Sequence, residues 1–267
     1  MNERDPRFWN THDEALRDGA RASNDTDPNN TDANDTGSND TDPDDTGSNN
    51  RGRHAAGSPP GDNADAASSD VTEKRGHKMT FADWLHVQQQ AHVAFSERLE
   101  LVSDWSAPTP DVDWDVAALV RHVIEEQQWV PLLLAGRTVG EARSRLQPLS
   151  EDLAAEWRRY SAAATQAWAS VEPDARVNLS YDRVPASAYL REQASDVIVH
   201  TWDLARAVGA DEDLGETLVT AAWTVFEPQK DTLEASGLFE SPVPIDENAP
   251  LQSRLLALTG RDDRVAA

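Results

Sequence analysis

Asp196, His200 and Asp203 stand at i, i+4 and i+7 in the stretch Asp196-Val197-Ile198-Val199-His200-Thr201-Trp202-Asp203. On a helix, that spacing places all three on one face. The face continues through Tyr189, Gln193, Leu204 and Ala207 and is flanked by Leu190, Val197 and Val199, so two carboxylates and an imidazole enter an apolar seam. A carboxylate there costs several kcal/mol unless it is paired or bound to a metal. A carboxylate and a histidine one turn apart can grip one ion, as two histidines do in a helical H-E-x-x-H. The plainer reading of the same spacing is a buried Asp–His hydrogen bond that only joins helices.

A metal needs further ligands from facing helices. The first helix is expected from Thr80, its N-cap, to Val102, with Phe81, Trp84, Leu85, His92, Phe95, Leu99 and Val102 on one face. Asp113 is expected to cap a second helix from Trp114 to Leu134, with Ala118, Leu119, His122, Val123, Glu126 and Trp129 inward and Pro131 kinking or ending it. Ser150 to Val171 reads as a third helix, with Leu153, Trp157, Tyr160, Ala164, Trp168 and Val171 inward. Arg176–Val184 is extended, as a short strand or a loop. The fourth helix runs from Pro185 through the opening motif to Val208 and stops at Gly209. Two shorter helices are expected at Leu214–Phe226 and Pro250–Thr259. The fold class is therefore all-α: an antiparallel four-helix bundle with a short C-terminal helical extension.

His122 from helix two joins Asp196 and His200 from helix four in a His₂-carboxylate set. Three protein ligands with an open position suit a catalytic zinc site, or nonhaem iron or manganese with more water. Glu126, one turn after His122, is a further ligand or a nearby base, and Asp203 is placed to orient a histidine. His92 also lies on an apolar face, but nothing pairs it with the site, and it is assigned to packing. His12, His54, His77 and His86 are expected to be exposed.

Composition divides the 267 residues in two. Residues 1–78 hold only Phe8, Leu16 and Val71 from the Leu/Ile/Val/Phe set, too few for a core. An imperfect pentapeptide repeat (NDTDP, NNTDA, NDTGS, NDTDP, DDTGS) fills residues 24–48. This polar sequence reads as a disordered acidic tail ahead of the domain at 79–267. The tail carries a net −8 and the domain −16, which together give the chain's −24. Such a balance argues against nucleic acid and anionic membrane as partners. The domain has fourteen Arg but a single Lys, Lys230. An acidic, Lys-poor surface on an ordinary core points to a halophile's cytoplasm, where salt screens self-repulsion. With no cysteine, the chain has neither a disulfide framework nor a thiolate nucleophile of its own. No apolar run of membrane-spanning length and no export signal is evident.

Three motifs, in order along the chain, carry a resemblance to a known family. Asp113-Trp114-Asp115-Val116-Ala117-Ala118-Leu119-Val120-Arg121-His122-Val123, with Leu134-Ala135-Gly136-Arg137 after it, resembles the second helix of the DinB-like, mycothiol-dependent maleylpyruvate isomerase metal-binding family. Asp196 through Gly209 is similar to that family's D/E-x-x-x-H-x-W-D-L-A-x-A-x-G helix. The segments from Pro242 to Leu251 and Arg254 to Arg261 resemble its actinobacterial-type branch. The resemblance implies a DinB-like bundle holding a divalent metal, zinc foremost and Fe2+, Mn2+ or Ni2+ as alternatives, on His122, Asp196 and His200. Family members with a glutamate at the position of Asp196 have one methylene more.

Three functions are compatible with this reading. A thiol-dependent transferase or isomerase would use the metal to activate an external low-molecular-weight thiol against a small-molecule substrate. A metal-assisted hydrolase would activate water, with Glu126 or Asp203 as the catalytic base. A noncatalytic metal-stabilised bundle, also as a homodimer, would serve regulation or stress response.

A chain beginning at Met79 is expected to fold, and its melting temperature to fall as salt is lowered from molar to millimolar. A melting temperature unaffected by that dilution would remove the halophile argument.

Overall fold

Thr80 opens the first helix with a reciprocal cap: Asp83 N donates to Thr80 Oγ1, and Thr80 N to Asp83 Oδ2. The computed structural model describes residues 78–111, 114–231, 233 and 241–265. The expected acidic tail through residue 77, and Asp113 as a cap, lie outside the described residues. Helix α1 is Phe81–Leu99, three residues shorter than expected, because the chain tightens into a turn at Leu101 and Val102. Helix α2 is Val116–Leu134, capped by Asp115, whose Oδ1 accepts from Ala118 N at 2.8 Å. Pro131 lies inside its last turn, and the helix runs on to Leu134 rather than ending there.

A short helix α3, Val139–Arg143, follows in a stretch with no periodic apolar stripe. Thr138 and Glu141 build a second reciprocal cap at its start, which compensates for its five-residue length. Helix α4, Leu153–Trp168, is narrower than Ser150–Val171. Asp152 fixes its start by accepting from Ala155 N, while Ser150 N turns to the Glu156 carboxylate. Strands β1 (Arg176–Asn178) and β2 (Arg183–Pro185) form an antiparallel hairpin with Val177 opposite Val184. Helix α5 is Ala186–Val208, and Gly209 ends it at φ 68°, a left-handed conformation that glycine adopts without Cβ strain. Helices α6 (Glu216–Phe226), continued by a 3-10 turn at Glu227–Gln229, and α7 (Leu251–Leu258) follow.

Cross-helix contacts set the directions. Gln88 donates to Thr165 and Trp157 Nε1 to Ser96 Oγ at 2.8 Å, so α1 and α4 run antiparallel. Gln193 donates to Glu126 and Asp196 faces His122, so α2 and α5 run antiparallel. At the end of α1, Arg98 donates to the carbonyls of Asp211 and Asp213, just past the end of α5, so α1 and α5 run parallel. The all-α four-helix bundle thus runs up, down, down, up. Its most extensive packing lies within the parallel pairs α1/α5 and α2/α4.

Helix α5 is the central element. Every residue from Glu192 to Ala205 is buried, against α1, α2, α6 and the hairpin. No helix among the described residues is long and apolar enough to cross a membrane. The core on the α1/α4 side centres on Phe95 and Trp157, whose rings lie 4.6 Å apart. Phe95→Ala is expected to lower unfolding free energy by about 3–5 kcal/mol at fixed salt. Denaturant melts of the two proteins check this, and a loss below about 1 kcal/mol would mean the site collapses without a cavity.

Candidate metal centre

Helix α5 carries Asp196 and His200 near its middle, and α2 presents His122 two turns after its cap. The antiparallel crossing of these helices brings the three together. One ligand atom from each lies within 4.8 Å of the others, the one such group of three among the described residues. His200 Nε2 is 3.4 Å from Asp196 Oδ1, and His122 Nε2 is 3.8 Å from Asp196 Oδ2. Both separations exceed ordinary N–H···O hydrogen bonds. They are nearer the edge of roughly 3.3 Å in a tetrahedron built from zinc–ligand bonds near 2.0 Å.

Asp196 Oδ2 is buried and accepts no hydrogen bond among the described residues. A divalent cation answers that deficit, and two imidazoles with a carboxylate are a zinc-type donor set. The residues present therefore fit the ion that the resemblance implies. Asp196 and His200 are buried, whereas the His122 ring keeps partial exposure, so the set opens to solvent on the His122 side.

The second nitrogen of His200 is committed elsewhere. Nδ1 is 3.0 Å from Asp203 Oδ2, which fixes the tautomer and aims Nε2 at Asp196. Arg261 grips Asp203 with two bonds, Nε to Oδ1 at 3.1 Å and Nη2 to Oδ2 at 2.8 Å. Burial alone would raise the Asp203 pKa, but Arg261 and His200 hold it down to about 2. An occupied, weakly basic carboxylate suits orienting His200 better than abstracting a proton. For His200, burial pushes the pKa down, while Asp196 and Asp203 together drive it up to about 9.

Glu126 is half-buried, one turn beyond His122, and accepts from Gln193 Nε2 at 2.9 Å. It stands outside the converging triplet. His92 lies apart from the triplet, with its ring edge-on to Trp157 at 5.0 Å and Gln88 Nε2 3.0 Å from Nδ1. Burial depresses its pKa to about 4 against a weaker opposing hydrogen bond with Gln127, which leaves a neutral packing ring. His86 is exposed, and His12, His54 and His77 lie outside the described residues.

Two contributors escaped the sequence reading. Trp114 lies over both imidazoles, its ring 4.7 Å from His122 and 5.7 Å from His200. Backbone bonds from Thr109 N to Trp114 O and from Val116 N to Ala107 O hold its loop in place. Arg261 appeared in the sequence only as the end of a family-like segment. A lone arginine after a helix-ending glycine does not disclose its partner.

Residues 85–205 match the family described as Mycothiol maleylpyruvate isomerase N-terminal domain. A Mycobacterium tuberculosis protein described as uncharacterized, in two strains, is 28% identical over 190 residues, 68% of this chain and 100% of the relative. Two crystal structures of mycothiol-dependent maleylpyruvate isomerase, one of them a mutant, align with 64% of this chain and 78% of theirs. Their identities are 21% and 20%, and their TM-scores are 0.49 and 0.48.

The raised pKa of His200 sets a pH dependence for the metal-free protein. Its contribution to stability is full below the unfolded value of 6.5 and is lost as pH rises through about 9. Asp203 has the opposite sign, contributing above 3.8 and losing that contribution as pH falls through about 2. Chelator-treated protein is expected to lose melting temperature between pH 6.5 and about 9, and His200→Gln to flatten that limb. An alkaline limb identical in both proteins would show that the imidazole is not held between the two carboxylates.

Proposed function

We propose, for a chain whose residues 85–205 match the mycothiol maleylpyruvate isomerase N-terminal domain family, that it is a divalent-metal, thiol-dependent transferase or isomerase. His122, Asp196 and His200 would hold one ion, zinc foremost, with Fe2+, Mn2+ or Ni2+ as alternatives. The observation that carries this reading is the buried Asp196 carboxylate, whose Oδ2 accepts no hydrogen bond and lies 3.8 Å from His122 Nε2 while its Oδ1 lies 3.4 Å from His200 Nε2, spacings longer than ordinary hydrogen bonds. Once bound, such an ion supplies Lewis acidity and lowers the pKa of a thiol or water in its open position.

The chain's own residues favour the thiol. There is no cysteine, so a sulfur nucleophile must come from outside, as a low-molecular-weight thiol. Asp203 is neutralised by Arg261, leaving Asp196 as the carboxylate that offsets a divalent charge. That balance favours an anionic ligand such as a thiolate. Trp114 covers the imidazoles and limits water beside them. Glu126, held by Gln193 one turn from His122, is placed to take or return a proton at the substrate. The same Glu126 would serve a hydrolase as its base, and this is the second reading. All three ligands come from one chain, so the site does not require a second copy, and a homodimer is compatible with it. The reading places the protein in the cytoplasm of a salt-rich cell, acting on a small electrophile.

Protein purified in high salt is expected to contain about one divalent ion per chain, lost in His200→Ala and weakened in Asp196→Asn, with His92→Ala unchanged. Turnover of an electrophile panel should require both metal and added thiol. Metal-dependent turnover without thiol would assign the hydrolase instead. Metal-dependent melting with no turnover at all would assign a noncatalytic bundle.

A further inference from the structure

Arg261 is almost wholly buried, yet it belongs to the segment after α7, far in sequence from the triplet. Gly260, at φ 82°, turns the chain back so that the guanidinium reaches α5. It bonds Asp203 through two nitrogens, donates from Nη1 to the Thr259 carbonyl, and lies 3.7 Å from Asp111 Oδ2 in the α1–α2 loop. Asp203 Oδ2 is shared: it receives Arg261 Nη2 at 2.8 Å and faces His200 Nδ1 at 3.0 Å. That one oxygen therefore links the guanidinium to the imidazole.

The segment has a second anchor one turn along α5. Arg206 packs its guanidinium on Trp202 at 4.6 Å and donates to the carbonyls of Asp262, Asp263 and Val265. Arg206 holds the segment's backbone against α5, and Arg261 extends from that backbone to Asp203. Neutralising Asp203 would need only a positive charge. A two-nitrogen fork also fixes rotation of the carboxylate, which a lysine cannot do.

We propose that Arg261 is a positioning residue for the metal centre, holding Asp203 and, through it, His200 Nε2 in line with Asp196 and His122. The C-terminal segment is then part of the centre although it supplies no ligand. This rests on the metal-binding reading above.

Zn2+ affinity and the visible spectrum of bound Co2+ test it on the full chain. Arg261→Lys keeps the charge and removes the fork. It is expected to fold, to bind Zn2+ about 10–100-fold more weakly, and to show shifted Co2+ bands, because His200 is free to rotate. A double variant, Asp203→Leu with Arg261→Met, replaces the pair by apolar side chains and avoids leaving one charge buried alone. It is expected to fold with the same loss of affinity. Wild-type protein that takes up neither ion sinks the metal-centre reading itself. Wild-type uptake with unchanged affinity and spectrum in Arg261→Lys overturns the role of Arg261 and leaves the centre standing. Failure of both variants to fold would assign the pair to global stability, which also overturns it.

Discussion

Two aspartates buried almost completely within a single helix are the constraint that organises this protein. Asp196 and Asp203 lie on α5 at 3% and 0% exposure, where an uncompensated negative charge is expensive. Each is offset from a different part of the chain. Asp203 is matched by Arg261 from the C-terminal segment, and Asp196 faces imidazoles from α2 and from its own helix. One oxygen of Asp196 is left without a hydrogen bond among the described residues, a residual demand that a structural ion pair alone does not meet.

The helix directions explain how so many elements converge at one end. With α1 and α5 running together and α2 and α4 running together against them, the end of α5 meets the beginning of α2. The α1–α2 loop crosses the same end of the bundle and carries Trp114 over the imidazoles and Asp111 toward Arg261. A bundle with only short hairpin loops would not bring these three segments to one place.

His92 and His200 show how strongly surroundings rule chemistry here. Both are buried histidines on apolar helix faces, and burial disfavours the charged form of each. His92 meets Gln88, Thr165 and the edge of Trp157, all neutral, and its pKa falls to about 4. His200 lies between Asp196 and Asp203, and its pKa rises to about 9 despite the same desolvation. One ring is a packing element, and the other is held beside two carboxylates, where a cation can replace its proton.

The sequence by itself determined the features that depend on neighbours along the chain. Thr80 and Gly209 mark helix ends because capping and left-handed turns are local, and the 3.6-residue stripes located α1, α2, α4 and α5 within a few residues. The Asp196–His200–Asp203 face was legible for the same reason, since helical spacing alone puts those side chains together. His122 was legible as an inward residue of a facing helix. Short α3 was missed because its stability comes from a cap and not from a periodic stripe. Only the tertiary structure decided which helices run parallel, which buried histidine meets carboxylates, and that Trp114 covers the imidazoles. It also decided that Arg261 closes on Asp203 across 58 residues. No periodicity encodes such a pairing, because its specificity arises from the folded backbone bringing a buried cation to a buried anion.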